Sequence, residues 1–463
     1  MSDDKPQHRP PTSRLGRLAR LASLAPKSLP FALEGARRAL GVKRTEEEHE
    51  DAKKKLSEDA KKAAEAMLKT LGEMKGLPLK LGQMASYIDG IVPPGYEDKV
   101  QRALKKLQDK APPLSPEAAE TMVKQELGAP PEEIFGKWER EPFAAASIGQ
   151  VHRAWTKAGD AVAVKVQYPG IDKAIENDLK SISLLEQMMS PVSRKLNAKQ
   201  TIDEIRTVFM DELNYSREAE MADLFRRLGE GDVDIHVPRV FHSLTTKRVL
   251  TTEFAPGVGY QEFCENADQE ARDHAGQTIW RFTFRSMLRY GYLYADPHPG
   301  NYRFLPDGSV TFLDFGCVKQ LSPELIGGMK RYMLAAMDSD WHEFDRACVE
   351  VLGYDPEDAS WDLYRSYTMQ LLMPLVSKGI WHCSHENARE TVQYLTRGIK
   401  DLVKKDGEAL PSIPHVPKIP QEFTFVNRLQ WGLSSVLAGL RSRAAFREMS
   451  EPWIREGLRD IPK

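Results

Sequence analysis

Three polar residues in the second half of the chain have the types and the spacing that phosphoryl transfer requires. Asp296 and Asn301 are five positions apart, and Asp314 follows after a short stretch with a turn sequence at 306–308. An aspartate can orient an attacking hydroxyl group, while an amide and a second carboxylate can hold Mg²⁺, a hard cation that prefers oxygen ligands. The pattern therefore predicts Asp296 at a catalytic position and Asn301 and Asp314 as metal ligands.

The sequence around these residues is similar to that of protein kinases. The Asp-x4-Asn spacing is that of a kinase catalytic loop, and Asp314-Phe315-Gly316 matches the metal-binding Asp-Phe-Gly. The turn at 306–308 separates two apolar runs, 302–305 and 310–313, which are predicted to form a hairpin. Ordinary turn chemistry explains the first motif alone, and chance occurrence explains Asp-Phe-Gly alone. Both motifs in this order, with a hairpin between them, favour a kinase-like centre.

A lysine inside an apolar run upstream adds to the pattern. The run 161–167, Ala-Val-Ala-Val-Lys-Val-Gln, predicts a strand in which Lys165 needs a charged partner. Kinases use such a lysine to hold the α and β phosphates of the nucleotide, and pair it with a glutamate on a helix. The alternative is an edge-strand lysine that faces solvent. Glu212 and Glu218, in a predicted helical region 201–228, are both candidate partners, and spacing does not choose between them.

The stretch that would cover the phosphates is rich in alanine. Where a kinase has its glycine-rich loop, this chain has Ala144, Ala145, Ala146 and Ser147. The backbone amides of such a loop can still contact phosphate, with less conformational freedom than glycine provides. Further on, the sequence 250–257 predicts a strand that enters a hinge, where Glu253 and Ala255 would offer backbone groups to an adenine base.

The composition is ordinary for a soluble globular protein. The chain has 463 residues, of which 41% are hydrophobic and 29% are charged, and its net charge is −2. This charge argues against a nucleic-acid binder. The four cysteines have no paired spacing, so neither a disulfide framework nor a zinc ribbon is indicated. No apolar run of membrane-spanning length and no signal peptide is apparent, which predicts a cytoplasmic protein, peripheral at a membrane at most.

The N-terminal segment differs from the rest in charge. Residues 1–44 contain ten Lys or Arg residues against three acidic residues. Leucines at 15, 18, 21 and 24 recur every third position, as in an amphipathic helix that lies on anionic lipid. The five prolines of the segment favour a disordered basic tail instead. Both interpretations stay open.

Changes in composition divide the chain into four parts. Residues 1–45 are predicted to be a basic segment that is flexible or lies on a membrane surface, and 46–110 a helical extension. Residues 111–255 are predicted to form a kinase-like N-lobe, and 256–463 a kinase-like C-lobe with a helical tail. The predicted fold class is therefore α+β, a two-lobed protein-kinase-like fold with a helical N-terminal extension and extra C-lobe helices.

Together, the motifs resemble the UbiB family of atypical kinases, also called AarF-domain or ADCK-type proteins. Six unusual sequences occur in the family's order between about residues 75 and 350. They are Lys80-Leu81-Gly82-Gln83, the alanine-rich loop 144–152, the strand and turn 162–171, Glu212 to Ala219, Ala295 to Asn301, and Asp314-Phe315-Gly316.

This resemblance implies binding of ATP or ADP with Mg²⁺, an ATPase or kinase activity, and a role in isoprenoid quinone (ubiquinone) biosynthesis at a membrane. The implied partners are the nucleotide, an anionic lipid surface, and quinone-biosynthesis enzymes or quinone precursors. The resemblance also places the helix that carries Lys80 and Gln83 over the cleft, where we expect it to restrain phosphoryl transfer. Glu212 is the candidate partner of Lys80, which leaves Glu218 for Lys165. Many family members carry a transmembrane segment, and none is apparent in this chain.

Two other functions compete with this one. A nucleotide-gated scaffold that organises a membrane-associated enzyme complex without phosphoryl transfer is the alternative that stays open. An ordinary protein kinase is disfavoured because the sequence 317–323 runs directly into a predicted helix and leaves no room for an activation loop. His298 also stands where protein kinases usually have a lysine.

Overall fold

The computed structural model describes residues 115–146, 148–177, 210–391, 393–394, 398 and 421–462. Within these ranges the strands and helices form a small lobe built on one sheet and a larger, mainly helical lobe. The predicted α+β kinase-like fold is confirmed. The predicted segments 1–45 and 46–110 lie outside the described residues.

The small lobe is an antiparallel sheet covered by a helix. Its strands are β1 (Lys137–Trp138), β2 (Ala144–Ala145), β3 (Gly149–Trp155), β4 (Ala161–Gln167) and β6 (Val249–Glu253). Strands β1, β3, β4 and β6 are neighbours in that order, and β2 pairs with β3. Helix α1 (Pro116–Leu127) begins at the cap Ser115, which accepts a hydrogen bond from the Ala118 amide. The short helix α2 (Pro131–Ile134) follows it.

The alternation of side chains in β4 explains where Lys165 points. Val164 and Val166 are fully buried and pack in the same cluster as Met122 and Val123 of α1. Burying one such apolar side chain contributes about 1.5–3 kcal/mol. Because successive side chains of a strand face opposite sides, Lys165 lies on the side away from α1.

Two predicted elements are interrupted in the structure. The stretch 143–155, which includes the predicted alanine-rich loop 144–152, is a hairpin of β2 and β3, because the Ala146 amide donates to the Gly149 carbonyl at 2.8 Å. Glycine is required at 149, where a Cβ atom would lie 2.3 Å from the Val166 carbonyl oxygen. The predicted helix 201–228 is described from 210; a break at Asn214, which caps helix α3 (Tyr215–Leu228), separates the helical residues 210–212 from α3.

The large lobe contains the remaining elements. Its helices are α4 (Tyr260–Asn266), α5 (Gln269–Tyr290), α6 (Pro323–Asp338), α7 (Trp341–Leu352), α8 (Trp361–Val376), α9 (Gln421–Leu440) and α10 (Phe446–Arg455). Its strands are β5 (Ile235–His236), β7 (Tyr292–Tyr294), β8 (Tyr302–Phe304), β9 (Val310–Phe312), β10 (Val318–Gln320), β11 (Trp381–His382) and β12 (Arg443–Ala444). The β8–β9 hairpin and helix α6, which begins at Pro323, are those that the sequence predicts.

An aromatic cluster joins the two motifs of the large lobe to α3. Phe315 lies 5.4 Å from Phe225 of α3 and 5.6 Å from Tyr294 of β7, between ring centroids. Phe282 of α5 stacks on Phe312 of β9 at 3.6 Å. The strand that leads to Asp296, the Asp-Phe-Gly segment and helix α3 therefore share one packed core.

Candidate active site

A cavity of about 260 Å³ lies between the sheet of the small lobe and the loops of the large lobe. The predicted site residues that line it are Ala144, Ala145, Ala146, Lys165, Glu218, Glu253, Ala255, Asp296, Asn301 and Asp314. The structure thus brings together, at one cleft, residues that are far apart in the sequence. Ser147, Lys80 and Gln83 lie outside the described residues.

Lys165 is at the centre of the charges in this cleft. Its Nζ atom donates to both carboxylate oxygens of Glu218, at 2.9 and 3.0 Å, and to Oδ2 of Asp314 at 3.3 Å. The ring of Tyr215 lies 4.8 Å from the same nitrogen, a cation–π contact. Glu218 is only 2% exposed. Of the two glutamates that the sequence left open, Glu218 is the one that contacts Lys165.

Burial and neighbouring charges oppose each other in this pair. Burial lowers the pKa of Lys165, but Asp314 and Glu218 outweigh it and raise that pKa well above its usual value. Burial raises the pKa of Glu218 to about 7, although Lys165 opposes this shift. Lys165 therefore keeps its proton at neutral pH, whereas Glu218 changes charge near neutrality. A permanently charged ammonium group suits contact with phosphate oxygens.

Glu212 occupies a different position. Its side chain is buried, 7% exposed, in the helical residues just before α3. It is not among the residues that line the cavity. Its predicted partner Lys80 lies outside the described residues, so this pairing stays a prediction.

The loop that carries Asp296 is held by its own hydrogen bonds. Nδ2 of Asn301 donates to the Asp296 carbonyl at 3.0 Å, so its amide oxygen is the atom suited to a cation. Nδ1 of His298 accepts from the Gly300 amide at 2.9 Å and fixes the turn between the two residues. Asp296 itself is 9% exposed. The loop thus presents a carboxylate and an amide oxygen on a rigid turn.

Asp314 is oriented by the backbone that follows it. Its Oδ1 atom accepts from the Gly316 amide at 3.0 Å, while Oδ2 contacts Lys165. The Leu313 amide donates to the Asn301 carbonyl at 3.0 Å and ties the two metal-ligand candidates together. One carboxylate and one amide oxygen fit Mg²⁺, which proteins hold with few side chains plus phosphate oxygens and water. In the described part of the chain, no three acidic, histidine or cysteine side chains form a metal site by themselves.

At the hinge, Glu253 is predicted to contact a base through its backbone, and its side chain makes other contacts. Its Oε2 atom accepts from the Arg239 amide at 3.3 Å and lies 3.6 Å from Nε2 of His236. The Glu253 amide donates to the Arg239 carbonyl at 2.8 Å, so neither this amide nor the side chain is suited to contact a base, which leaves the Glu253 carbonyl for that role. Ala255 lines the cavity beside it.

Three further residues of the cleft carry no strong signal in the sequence. Phe143 and Phe254 line the cavity and meet edge to face, with ring centroids 5.5 Å apart. Phe143 is 47% exposed, and an apolar ring at the entrance suits contact with a nucleobase. Arg303 also lines the cavity and adds a positive charge. Arg303 follows Asn301 by two residues, and this proximity to a predicted metal ligand is the sequence signal that could have placed it at the cleft.

Helix α9 packs against the loop that carries Asp296, a contact that the sequence does not indicate for residues 350–463. A Cβ atom on Gly432 would lie 2.6 Å from Cγ of Pro297, next to Asp296. The hydroxyl group of Tyr260 donates to the Val436 carbonyl at 2.6 Å. Glycine at 432 is therefore needed for the close approach of α9 to the loop.

A larger open groove of about 940 Å³ lies on the outer side of the hinge. Of the predicted site residues, only Glu253 lines it. Two pairs of its ionisable groups contact each other: Arg239 lies 3.5 Å from Asp160, and His236 lies 3.6 Å from Glu253. The smaller cleft, and not this groove, gathers the groups that phosphoryl transfer requires. No helix in the described ranges has the length and apolar character of a membrane span.

A two-lobed fold in which a paired lysine, an Asp-x4-Asn loop and an Asp-Phe-Gly segment meet at one cleft defines a kinase-like protein. A family model described as the ABC1 atypical kinase-like domain matches residues 106–348, just over half of the chain. The chain belongs to this family of atypical kinases, and the resemblance to UbiB, AarF-domain and ADCK-type proteins is confirmed.

Curated relatives and a solved structure are consistent with this assignment. The chain is 31% identical to atypical kinase COQ8B, mitochondrial, of Rattus norvegicus, over 344 residues that make up 73% of this chain and 63% of the relative. It is 29% identical to protein ACTIVITY OF BC1 COMPLEX KINASE 8, chloroplastic, of Arabidopsis thaliana, over 82% of this chain and 52% of the relative. The chain thus spans between about half and two thirds of the length of these relatives. The structure of the Rv3197–erythromycin complex from Mycobacterium tuberculosis superposes with a TM-score of 0.60 and 25% identity, over 86% of this chain and 97% of that one.

Proposed function

We propose that this protein binds ATP or ADP with Mg²⁺ in the cleft and hydrolyses or transfers the γ-phosphate of ATP. The observation that carries the proposal is the contact of Lys165 with both Glu218 and Asp314, at a cavity that Asp296 and Asn301 also line. Kinases need the lysine–glutamate pair and the metal-binding aspartate in place at the same time. Membership of an atypical kinase family supports the same chemistry.

The proposed roles follow from the contacts. Lys165 keeps its proton and contacts the α and β phosphates, while Glu218 fixes the direction of its ammonium group. Asn301 and Asp314 would hold Mg²⁺, which would neutralise charge on the phosphates. Asp296 orients the attacking hydroxyl group or water and accepts its proton.

The remaining cleft residues would hold the rest of the nucleotide. The backbone of Ala144, Ala145, Ala146 and Ser147 covers the phosphates, and the backbone of Glu253 and Ala255 contacts the base. The hydrogen bond from the Ala146 amide to the Gly149 carbonyl restricts the backbone at this turn. Alanine restricts the backbone further, because it lacks the left-handed conformations that glycine adopts easily.

We extend the proposal to regulation and to the membrane on the basis of the family resemblance. Lys80 and Gln83 would lie over the cleft, with Lys80 paired to Glu212, and restrain transfer. Segment 1–45 would contact anionic lipid, segment 46–110 would carry the restraining helix, and the lobes 111–255 and 256–463 would enclose the nucleotide. The pathway served would be isoprenoid quinone biosynthesis, with quinone precursors or the enzymes that act on them as partners.

A nucleotide-gated scaffold is the second candidate, and one observation favours it. Strand β10 ends at Gln320 and α6 begins at Pro323, so the short connection after Asp314-Phe315-Gly316 offers little platform for a peptide substrate. In that function, nucleotide binding would organise a membrane-associated enzyme complex and no phosphate would be transferred.

One experiment separates the two functions. ATP hydrolysis is measured with and without anionic liposomes and quinone-like phenols, on wild type and Asp296→Asn, together with thermal stabilisation by Mg-ADP. Phosphoryl transfer predicts turnover in wild type that falls by about 10²-fold or more in Asp296→Asn while stabilisation by Mg-ADP persists. Stabilisation without turnover under every condition supports the scaffold. No stabilisation by any nucleotide contradicts both functions.

A further inference from the structure

A second ion pair joins the two halves of the active site outside the cleft. Lys319 of β10 forms a short charge-assisted hydrogen bond with Oδ2 of Asp211, just upstream of α3. We propose that Lys319 and Asp211 are positioning residues. Their ion pair fixes helix α3 against strand β10 and thereby keeps the Glu218 carboxylate in contact with the Lys165 ammonium group. The effect of this pair on turnover rests on the proposed function, whereas its effect on α3 does not.

Lys319 is firmly attached to the catalytic machinery through its backbone. It lies three residues after Gly316 of the Asp-Phe-Gly segment, and in the β10–β7 pair it is opposite Leu293. Leu293 lies three residues before Asp296. The ammonium group of Lys319 therefore projects from strand β10, which is joined to the Asp-Phe-Gly segment along the chain and to the loop that carries Asp296 through its pairing with β7.

Asp211 is attached just as closely to the first turn of α3. The Asn214 amide donates to the Asp211 carbonyl at 3.0 Å, and Asn214 caps α3 by accepting from the Arg217 amide. NH1 of Arg217 also donates to Oδ1 of Asp211 at 2.6 Å. Glu218 is the next residue and lies in that first turn. Holding Asp211 therefore holds the end of α3 that carries Glu218.

The surroundings make this pair stronger than a surface ion pair. Lys319 and Asp211 are each 13% exposed, and the Lys319 ammonium also lies 5.1 Å from the ring of Phe425 on α9. Charges that are largely removed from water interact more strongly than exposed ones. The second partner of the Asp211 carboxylate, Arg217, is 45% exposed and belongs to α3 itself. Lys319 is therefore the partner that connects Asp211 to the large lobe.

This arrangement performs a task that protein kinases give to another element. Kinase activity requires the helix glutamate in contact with the strand lysine, and activation-loop phosphorylation commonly controls that contact. Here β10, which carries Lys319, leads to α6 within a few residues. The ion pair would keep α3 in its active position permanently, without a phosphorylated loop.

The test compares four single substitutions in the full chain. Lys319→Met removes the charge but keeps a similar length, Lys319→Arg keeps the charge, and Asp211→Asn removes the partner while keeping its shape. Arg365→Met is the matched control. Arg365 forms an ion pair with Asp345 at 2.5 Å and lies over the Phe344 ring at 5.6 Å, so it has the same kinds of contact on α7 and α8, away from the cleft.

Two measurements decide the proposal. The first is amide hydrogen exchange of α3 in the nucleotide-free protein, which we expect to be about ten-fold faster in Lys319→Met and Asp211→Asn. The second is the Mg²⁺ concentration for half-maximal ATP hydrolysis, which we expect to rise about five-fold or more in both variants, since Glu218, Lys165 and Asp314 act as a unit. Lys319→Arg and Arg365→Met should match wild type in both measurements.

The outcomes separate this proposal from the proposed function. Unchanged α3 exchange in both Lys319→Met and Asp211→Asn overturns the positioning role, as does faster exchange with an unchanged Mg²⁺ requirement. Equal effects in Arg365→Met overturn it too, because they would reflect general loss of stability. If Lys319→Met does not fold, Asp211→Asn decides alone. If wild type hydrolyses no ATP, the proposed function fails, and α3 exchange alone supports or overturns the attachment of α3.

Discussion

We expect the activity of wild type to depend on pH near neutrality, and replacing Glu218 by glutamine should remove that dependence. Glu218 is 2% exposed, and burial raises its pKa to about 7 against the attraction of Lys165. With that pKa, the ionised fraction is about 0.9 at pH 8 and about 0.1 at pH 6. Only the ionised form attracts Lys165 as a full charge. If the paired form is the active one, kcat/KM should fall about ten-fold between pH 8 and pH 6.

The raised pKa of Glu218 also determines the direction in which the free energy of unfolding changes with pH. The folded protein holds this proton more tightly than the unfolded chain, in which a glutamate has a pKa of 4.5. The contribution of Glu218 to the free energy of unfolding therefore falls as pH rises from 4.5 to about 7, and is constant outside that range. The difference obtained by subtracting the Tm of Glu218→Gln from the Tm of wild type should therefore be larger at pH 5 than at pH 8.

The assay is ATP hydrolysis from about pH 6 to about pH 9 at saturating Mg²⁺ and constant ionic strength. Glu218→Gln is the matched control, because the phosphates of the nucleotide titrate equally in both measurements. The neighbouring charged and titratable groups, Lys165, Asp314, Glu212 and Tyr215, are the same in both proteins. We expect the variant to lose the step near pH 7 and to reach a plateau about ten-fold lower, since a neutral acceptor binds the ammonium group more weakly. The same step at the same midpoint in Glu218→Gln would refute the reasoning.

Three other predictions concern helix α9, the alanine-rich loop and the N-terminal segment. Gly432→Ala should lower stability by about 1–3 kcal/mol and slow turnover, because its Cβ would meet Cγ of Pro297 at 2.6 Å. Gly327→Ala on α6 is the control, because a Cβ there would have no heavy atom within 4 Å apart from the adjacent backbone of its own helix, and it should be neutral or stabilising in thermal unfolding. Ala146→Gly should change the ratio of ATP to ADP affinity by about two- to five-fold in calorimetry, and equal ratios would show that the loop does not restrain the phosphates. Deletion of residues 1–44 should abolish co-sedimentation with anionic liposomes at low salt, at about 1 kcal/mol per basic residue near the surface, and retained co-sedimentation would contradict this.

Local signals in the sequence were sufficient for the elements that bear the motifs. The apolar alternation around Lys165 predicts β4 and the side on which the lysine lies, because strand geometry follows from a period of two. The side chains of Ser115 and Asp268 accept hydrogen bonds from the first turns of α1 and α5, and such capping residues are local signals of where a helix begins.

Contacts between distant parts of the chain were not predictable in the same way. Glu212 and Glu218 have the same chemistry, and only the break at Asn214 and the direction of α3 bring Glu218 to Lys165. The approach of Gly432 to Pro297 depends on the path of α9, for which the sequence has no local signal. The pairing of Lys319 with Asp211 likewise depends on tertiary packing. Such contacts join segments whose relative positions the folded core determines.

The central claim, that Lys165, Asn301 and Asp314 form a Mg-nucleotide site, is tested most directly by calorimetric titration of ATP with Mg²⁺ and with a chelator in its place. The claim predicts that Mg²⁺ raises the affinity of wild type for ATP about ten-fold or more, and that Asp314→Asn loses this gain while remaining folded. An affinity that is the same with Mg²⁺ and with chelator in wild type, or an undiminished gain in Asp314→Asn, would contradict it.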